Sequence, residues 1–212
     1  MCSLFLTLDA PSQSPLHFCV PNAYICYNTD TDTLDFHMLR DVKKDTEITV
    51  SYFQDIYALT QRQRNDRLRK WGFSCTCSAC ISLPPTSCTL PPDVRREKIK
   101  SLFSEVDQFT IARLENSYDP RPDPRGGANI SNQEVHVILD NLKEIIRLMK
   151  EEGLYGLAMS QLLEDHAPLH DETGNPEARR SQMAEALRIR QRCLGNFHPS
   201  TLELQRKIDR LH

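Results

Sequence analysis

The sequence predicts an α+β protein in which a small β-rich unit carries a metal-binding loop and an all-α region of stacked helices follows. Three observations lead there. Residues 17–57 hold short extended runs rich in β-branched and aromatic residues, separated by Asn, Asp and Thr. The stretch Gly72-Phe73-Ser74-Cys75-Thr76-Cys77-Ser78-Ala79-Cys80 places three thiols within six residues. Beyond a proline-rich segment, the apolar period changes to three and four.

The elements follow in chain order. Residues 1–15 have no clear pattern and read as an irregular N-terminal segment. Strands are predicted over 23–27, 33–38 and 47–52, each bounded by turn residues. Residues 59–70 suit a short helix that delivers the chain to Trp71 and the cysteines. Its five basic residues, Arg62, Arg64, Arg67, Arg69 and Lys70, read as a solvated face. Four prolines lie within residues 83–92, which neither a helix interior nor a sheet accommodates, so this is a linker between a unit at 16–82 and a helical region at 93–212. In that region Ile99, Leu102, Phe103 and Val106, then Val135, Ile138, Leu142, Ile145 and Leu148, recur at helical spacing. Residues 119–130 between them read as a Pro/Gly loop.

Helix starts are marked by Ser131 with Glu134, by Asn175 before Pro176 and by His198 before Pro199, while Gly153 and Gly195 suit the stops. Starts near 132, 154, 176 and 198 recur about every 22 residues, compatible with stacked helical hairpins. The segment 186–199 is similar to the AL-x-IR-x-x-x-LG-x-x-HP signature of long tetratricopeptide-like repeats. Such a region implies a surface for a protein substrate or partner.

Composition narrows the function classes. The formal charge of −3 is spread evenly, with 8 Lys and Arg against 9 Asp and Glu in residues 1–82 and 18 against 20 in the rest. Nucleic-acid binding is therefore disfavoured. No apolar run approaches the ~18 residues of a membrane span, and the opening run stops at Asp9, too short for a signal peptide. An intracellular protein of cytoplasm or nucleus is expected, where eight cysteines stay reduced or bind metal.

A Cys-x-Cys-x-x-Cys loop presents three thiolates to one ion, and tetrahedral zinc needs a fourth ligand. Candidates are Cys2, Cys19, Cys26, Cys88, His17 and His37. Spacing alone does not choose among them. A closed four-ligand site is structural, pinning distant segments together.

Three segments taken together resemble a known family. His17-Phe18-Cys19-Val20-Pro21-Asn22, then Lys44-Asp45-Thr46-Glu47-Ile48-Thr49-Val50-Ser51-Tyr52, then Phe73-Ser74-Cys75-Thr76-Cys77-Ser78-Ala79-Cys80, resemble in order the C-terminal half of a SET domain and its post-SET cysteines. The match covers residues 16–80 and is similar in flavour to SET proteins related to the SET-and-MYND group. It implies that Cys19 completes a zinc set with Cys75, Cys77 and Cys80. It also implies S-adenosylmethionine as cofactor and protein lysine as substrate. Tyr52 then matches the tyrosine at the methyl-transfer channel, and His17, Asn22 and Phe73 match positions around the cofactor. Without the resemblance, Tyr52 reads as a half-buried strand residue, His17 as a turn residue and Phe73 as core.

The sequence departs from the family at Leu16, where asparagine is usual, and at Phe18, where serine is usual. Loss of an amide leaves polar ligand groups unpaired, at about 1–3 kcal/mol each. No glycine precedes Gly72, so the Gly-x-Gly cofactor strand of a SET domain has no counterpart in the chain. The expectation is a chain of methyltransferase lineage that is truncated and inactive as it stands. The alternative is a zinc-stabilised pseudoenzyme that binds proteins through its helices. A zinc finger for nucleic acid, resting on the basic series 62–70, lacks the paired Cys/His spacing of such fingers.

Overall fold

A computed structural model describes residues 16–28, 32–81, 91–118 and 131–211. The predicted N-terminal segment, most of the linker, the loop at 119–130, and Cys2 and Cys88 lie outside the described residues.

Among the described residues, four short strands form two pairs. β2 (Ala23–Asn28) and β3 (Thr33–Met38) make an antiparallel hairpin in which Cys26 stands opposite Asp35 and Tyr24 opposite His37. Strands alternate their faces, so Ala23, Ile25, Phe36 and Met38 share one side and pack with Val50 and Ile48. Tyr24, Cys26, Asp35 and His37 share the other. β1 (Leu16–His17) pairs in parallel with β4 (Thr49–Val50).

The predicted strand at 47–52 shrinks to those two residues because side chains intercept its backbone. Asn22 Oδ1 accepts from Thr49 N at 2.8 Å, and His17 Nδ1 accepts from Tyr52 N at 3.1 Å. Ser51 Oγ donates to Phe53 O at 2.7 Å, turning the chain out of the ladder.

A 3-10 turn at Ile56–Ala58 leads to α1 (Gln61–Arg69). Thr60 and Gln63 form a capping box that fixes its start. The helix corrects one expectation: Arg64 is wholly buried beside Leu68, four residues on and on the same face. The rest of the basic series stays exposed.

Pro92 opens α2 (Pro92–Tyr118), a position where its missing N–H costs nothing. It packs on α3 (Asn132–Glu151), whose Val135, Ile138, Leu142, Ile145 and Leu148 are all buried as their period predicts. Ser131 and Glu134 form the expected capping box. The helix expected near 154 begins instead at Leu157, as α4 (Leu157–His166), because Gly153 takes φ +68° and Gly156 is extended. After α5 (Leu169–Glu172) come α6 (Pro176–Leu194) and α7 (Pro199–Asp209), capped by Asn175 and His198. α4 packs on α6 and α6 on α7.

One continuous apolar core joins Cys19, Ile56 and Leu68 to buried residues of α2, α3, α4 and α6. Polar clamps reinforce the junction. Arg96 of α2, fully buried, donates to Ile56 O at 2.6 Å and pairs with Glu152 at 3.0 Å. Asp93 accepts from Gln61 N at 2.8 Å, and α6 covers the hairpin.

Candidate functional site

The loop 72–81 follows α1 through Gly72, which holds φ +83°, a left-handed turn that favours glycine. Asn65 Oδ1 accepts from Cys75 N at 3.3 Å, and Cys80 N and Ile81 N both donate to Cys77 O. This tight turn aims three sulfurs inward. Cys19, two residues past β1, reaches them from 56 residues upstream, so that all four thiols are buried within 4.8 Å of one another. Cys19 Sγ lies 3.4 Å from Cys80 Sγ and 3.8 Å from Cys75 Sγ. Four sulfurs at about 2.3 Å from a tetrahedral ion stand about 3.8 Å apart. The group therefore fits a metal ion of the zinc class. Cys26 and His37 lie in a separate cluster.

The electrostatics agree. Bonds from Cys19 and Cys80 hold the Cys77 thiol far below its ordinary range, whereas the Cys19 thiol is driven well up by its bonds to Cys77 and Cys80. Burial pushes Cys75 up to about 11. Deprotonating all four buried thiols together requires a cation at their centre. Arg64 supplies part of the balance: its guanidinium donates to Cys80 Sγ at 3.5 Å, to Ala79 O at 3.1 Å and to Leu59 O at 2.6 Å. Nothing in residue type singled out Arg64 from its basic neighbours; only its helical face, shared with Leu68, distinguishes it.

His17 connects this centre to Tyr52. Its Nδ1 accepts from Tyr52 N, so in the neutral ring Nε2 carries the proton and faces Cys19 Sγ at 3.6 Å. Burial keeps its pKa low. The Cys19 sulfur thereby orients the imidazole, and the imidazole fixes the backbone at Tyr52.

Tyr52 opens onto a cleft of about 1100 Å³. Tyr24, Tyr52, Phe53, Trp71 and Phe73 line its β-rich side, and Tyr155 and Leu157 its helical side. Tyr52 lies 5.3 Å from Trp71 and 6.2 Å from Phe73, centroid to centroid, and 5.0 Å from His17. The structure thus gathers Tyr52, Phe73 and His17 into one aromatic cluster. Asn22 is placed apart, buried, with its amide joined to Glu47 O and Thr49 N. Sequence reasoning missed Trp71, Tyr155 and Leu157 as cleft residues, because the cleft closes only when α3 and α4 pack against the β unit.

The polar side chains matched to the cofactor positions are engaged within the protein. Both nitrogens of His17 and both ends of the Asn22 amide are engaged within the protein. Of the polar groups around the cleft, Ser51 bonds Phe53, Asp55 pairs with Arg67 and Gln161 bonds Asp165. Phe73, 37 % exposed, still offers a ring face at the rim.

Comparison with known proteins ties the chain to SET proteins. It is 30 % identical over 135 residues to a histone-lysine N-methyltransferase SET5 of Saccharomyces cerevisiae, a match covering 64 % of this chain and 24 % of the relative. It is 39 % identical over 66 residues to the SET5 protein of Meyerozyma guilliermondii, covering 30 % of this chain and 14 % of the relative. The Eremothecium gossypii SET5 protein is 34 % identical over 64 residues, covering 30 % and 12 %. The chain spans about a quarter of the length of the first of these relatives. No family profile matches it. The SET resemblance read from the motifs is borne out by these relatives; the tetratricopeptide-like reading of the helices draws no support from them. Among the described residues, no helix is long and apolar enough to cross a membrane.

Proposed function

We propose that the chain carries the zinc-bearing half of a SET domain in the lineage of S-adenosylmethionine-dependent protein-lysine N-methyltransferases, and that these residues acting alone hold a protein segment without methylating it. The aromatic cleft beside the four-cysteine group carries the reading. Zinc on Cys19, Cys75, Cys77 and Cys80 clasps β1 to the loop after α1, and the clasp sets His17 and hence Tyr52. In the family role, the Tyr52 hydroxyl orients a neutral lysine amine, with Phe73, His17 and Asn22 on the cofactor side. S-adenosylmethionine supplies the methyl group where a complete pocket binds it.

The cleft wall from α3 and α4 favours a peptide ligand that touches both regions, in keeping with a tetratricopeptide-like stack acting as the partner surface. Histone tails are the first class to test, given the names of the relatives, and cytoplasm or nucleus is the proposed compartment. Trp71, the single tryptophan, is 64 % exposed in the cleft and reports occupancy by fluorescence. A lysine-bearing histone-tail peptide is expected to shift its emission. Calorimetry with S-adenosylmethionine is expected to show no tight site, and labelled methyl groups are expected not to reach histones. Tight cofactor binding or methyl incorporation would replace this reading with that of an active methyltransferase.

A further inference from the structure

The hairpin face turned toward α6 carries a second set of metal-type donors. Cys26 and Asp35 are direct cross-strand partners, and His37 stands two residues beyond Asp35 on the same face. Their ligand atoms lie within 4.8 Å of one another. The opposite face of the same hairpin packs Ala23, Ile25, Phe36 and Met38 into the small apolar cluster, so the pleat has put the three donors on one side.

Three further details fit a ligand set better than a chance grouping. His37 Nε2 is buried and has no hydrogen-bond partner among the described residues, which is costly unless something binds there. Both carboxylate oxygens of Asp35 are already oriented, one by Thr33 Oγ1 at 3.0 Å and the other by Asn28 Nδ2 at 3.2 Å. Outer bonds of this kind accompany metal-ligating carboxylates. Gly195, which ends α6, lets the backbone close over the imidazole: a Cβ there would stand 3.0 Å from His37 Cε1.

We propose that Cys26, Asp35 and His37 form a second metal site, distinct from the four-cysteine group, that takes a zinc-class divalent ion through one thiolate, one carboxylate oxygen and one imidazole nitrogen. A mixed sulfur, oxygen and nitrogen set of three, with a fourth position for water, matches the borderline character of zinc. The ion ties the two hairpin strands together beneath the end of α6. On binding, the Cys26 thiol loses its proton to solvent and becomes the sulfur ligand.

The test is cobalt(II) titration of the metal-stripped full chain, read by absorbance and by metal content after gel filtration. Wild type is expected to bind one equivalent more than either H37N or C26S. The lost equivalent carries the weaker, single-thiolate charge-transfer band. Because the readout is a difference between variants, it does not depend on occupancy of the four-cysteine group, which C77S reports separately. Should one variant fail to fold by circular dichroism, the other and D35N carry the comparison. Equal stoichiometry and equal spectra in wild type and the folded variants would overturn the proposal.

Discussion

Both regions bury a charge, Arg64 in one and Arg96 in the other, but the β-rich region gathers four buried thiols at one point where the helical region buries mainly hydrocarbon. Cys19 is fully buried, Cys75, Cys77 and Cys80 nearly so, and fully buried Arg64 reaches Cys80 from α1. The compact apolar cluster of that region has only Ala23, Phe36 and Val50 as its buried members. By contrast α3 alone buries Val135, Ile138, Leu139, Leu142, Ile145, Leu148 and Met149. Strands of two and six residues cannot enclose a large core, so the β unit needs a cross-link, while a 20-residue amphipathic helix supplies its own.

The sharpest way to break the comparison is to remove the metal. Structural zinc contributes on the order of 10–16 kcal/mol to folding in finger peptides. Chelation, or C77S, is expected to abolish hydrogen-exchange protection over 16–28, 49–53 and 73–81 while α3 and α6 keep theirs. Loss of protection in α3 to the same degree would mean that the two regions unfold as one.

Next in size is Arg64→Met, which keeps the volume but leaves Leu59 O, Ala79 O and the Cys80 sulfur without their donor. Breaking a buried charge pair costs about 3–5 kcal/mol, and removal of an outer-shell partner weakens metal affinity about 10–100-fold. Competition with a chromophoric chelator measures the second effect. Arg62→Ala is the control: that side chain is 93 % exposed, and a change within about 0.5 kcal/mol is expected.

The helical counterpart is Ile145→Ala, at a position with no exposure. A cavity there is expected to cost about 2–4 kcal/mol in urea denaturation and to leave metal stoichiometry unchanged. Arg64→Met and Ile145→Ala, of similar size, are thus separated by metal content alone.

The same contrast explains what the sequence made legible. Helical positions repeat, so Val135 through Leu148 announced their buried face, and Ser131, Asn175 and His198 announced their caps. The cysteine loop was legible because three thiols in six residues have one common use. Cys19 followed only from the SET resemblance, since spacing across 56 residues carries no geometric information. Arg64, the shortened β4 and the cleft were not legible. Each depends on a partner far away in the chain: the sulfurs for Arg64, the Asn22 amide for Thr49, and α3 with α4 for Trp71.

The smallest effect tests the capping that keeps the helical region independent of metal. Ser131 Oγ accepts from Glu134 N at 3.2 Å, and the Glu134 carboxylate accepts from Ser131 N at 2.7 Å. Ser131→Ala removes the first of these bonds and is expected to cost about 1 kcal/mol. The reciprocal bond makes the effect pH-dependent. The Ser131 backbone N–H, and then its hydroxyl, hold Glu134 below the ordinary carboxylate range. A depressed folded pKa stabilises the fold above the unfolded value, and that contribution fades as pH falls through the folded one. Wild type should therefore lose more stability on acidification than Glu134→Gln, whose side chain does not titrate. Urea midpoints read by helical circular dichroism between neutral pH and about pH 3 measure the difference, and parallel curves for the two proteins would remove the charged capping box from the account of α3.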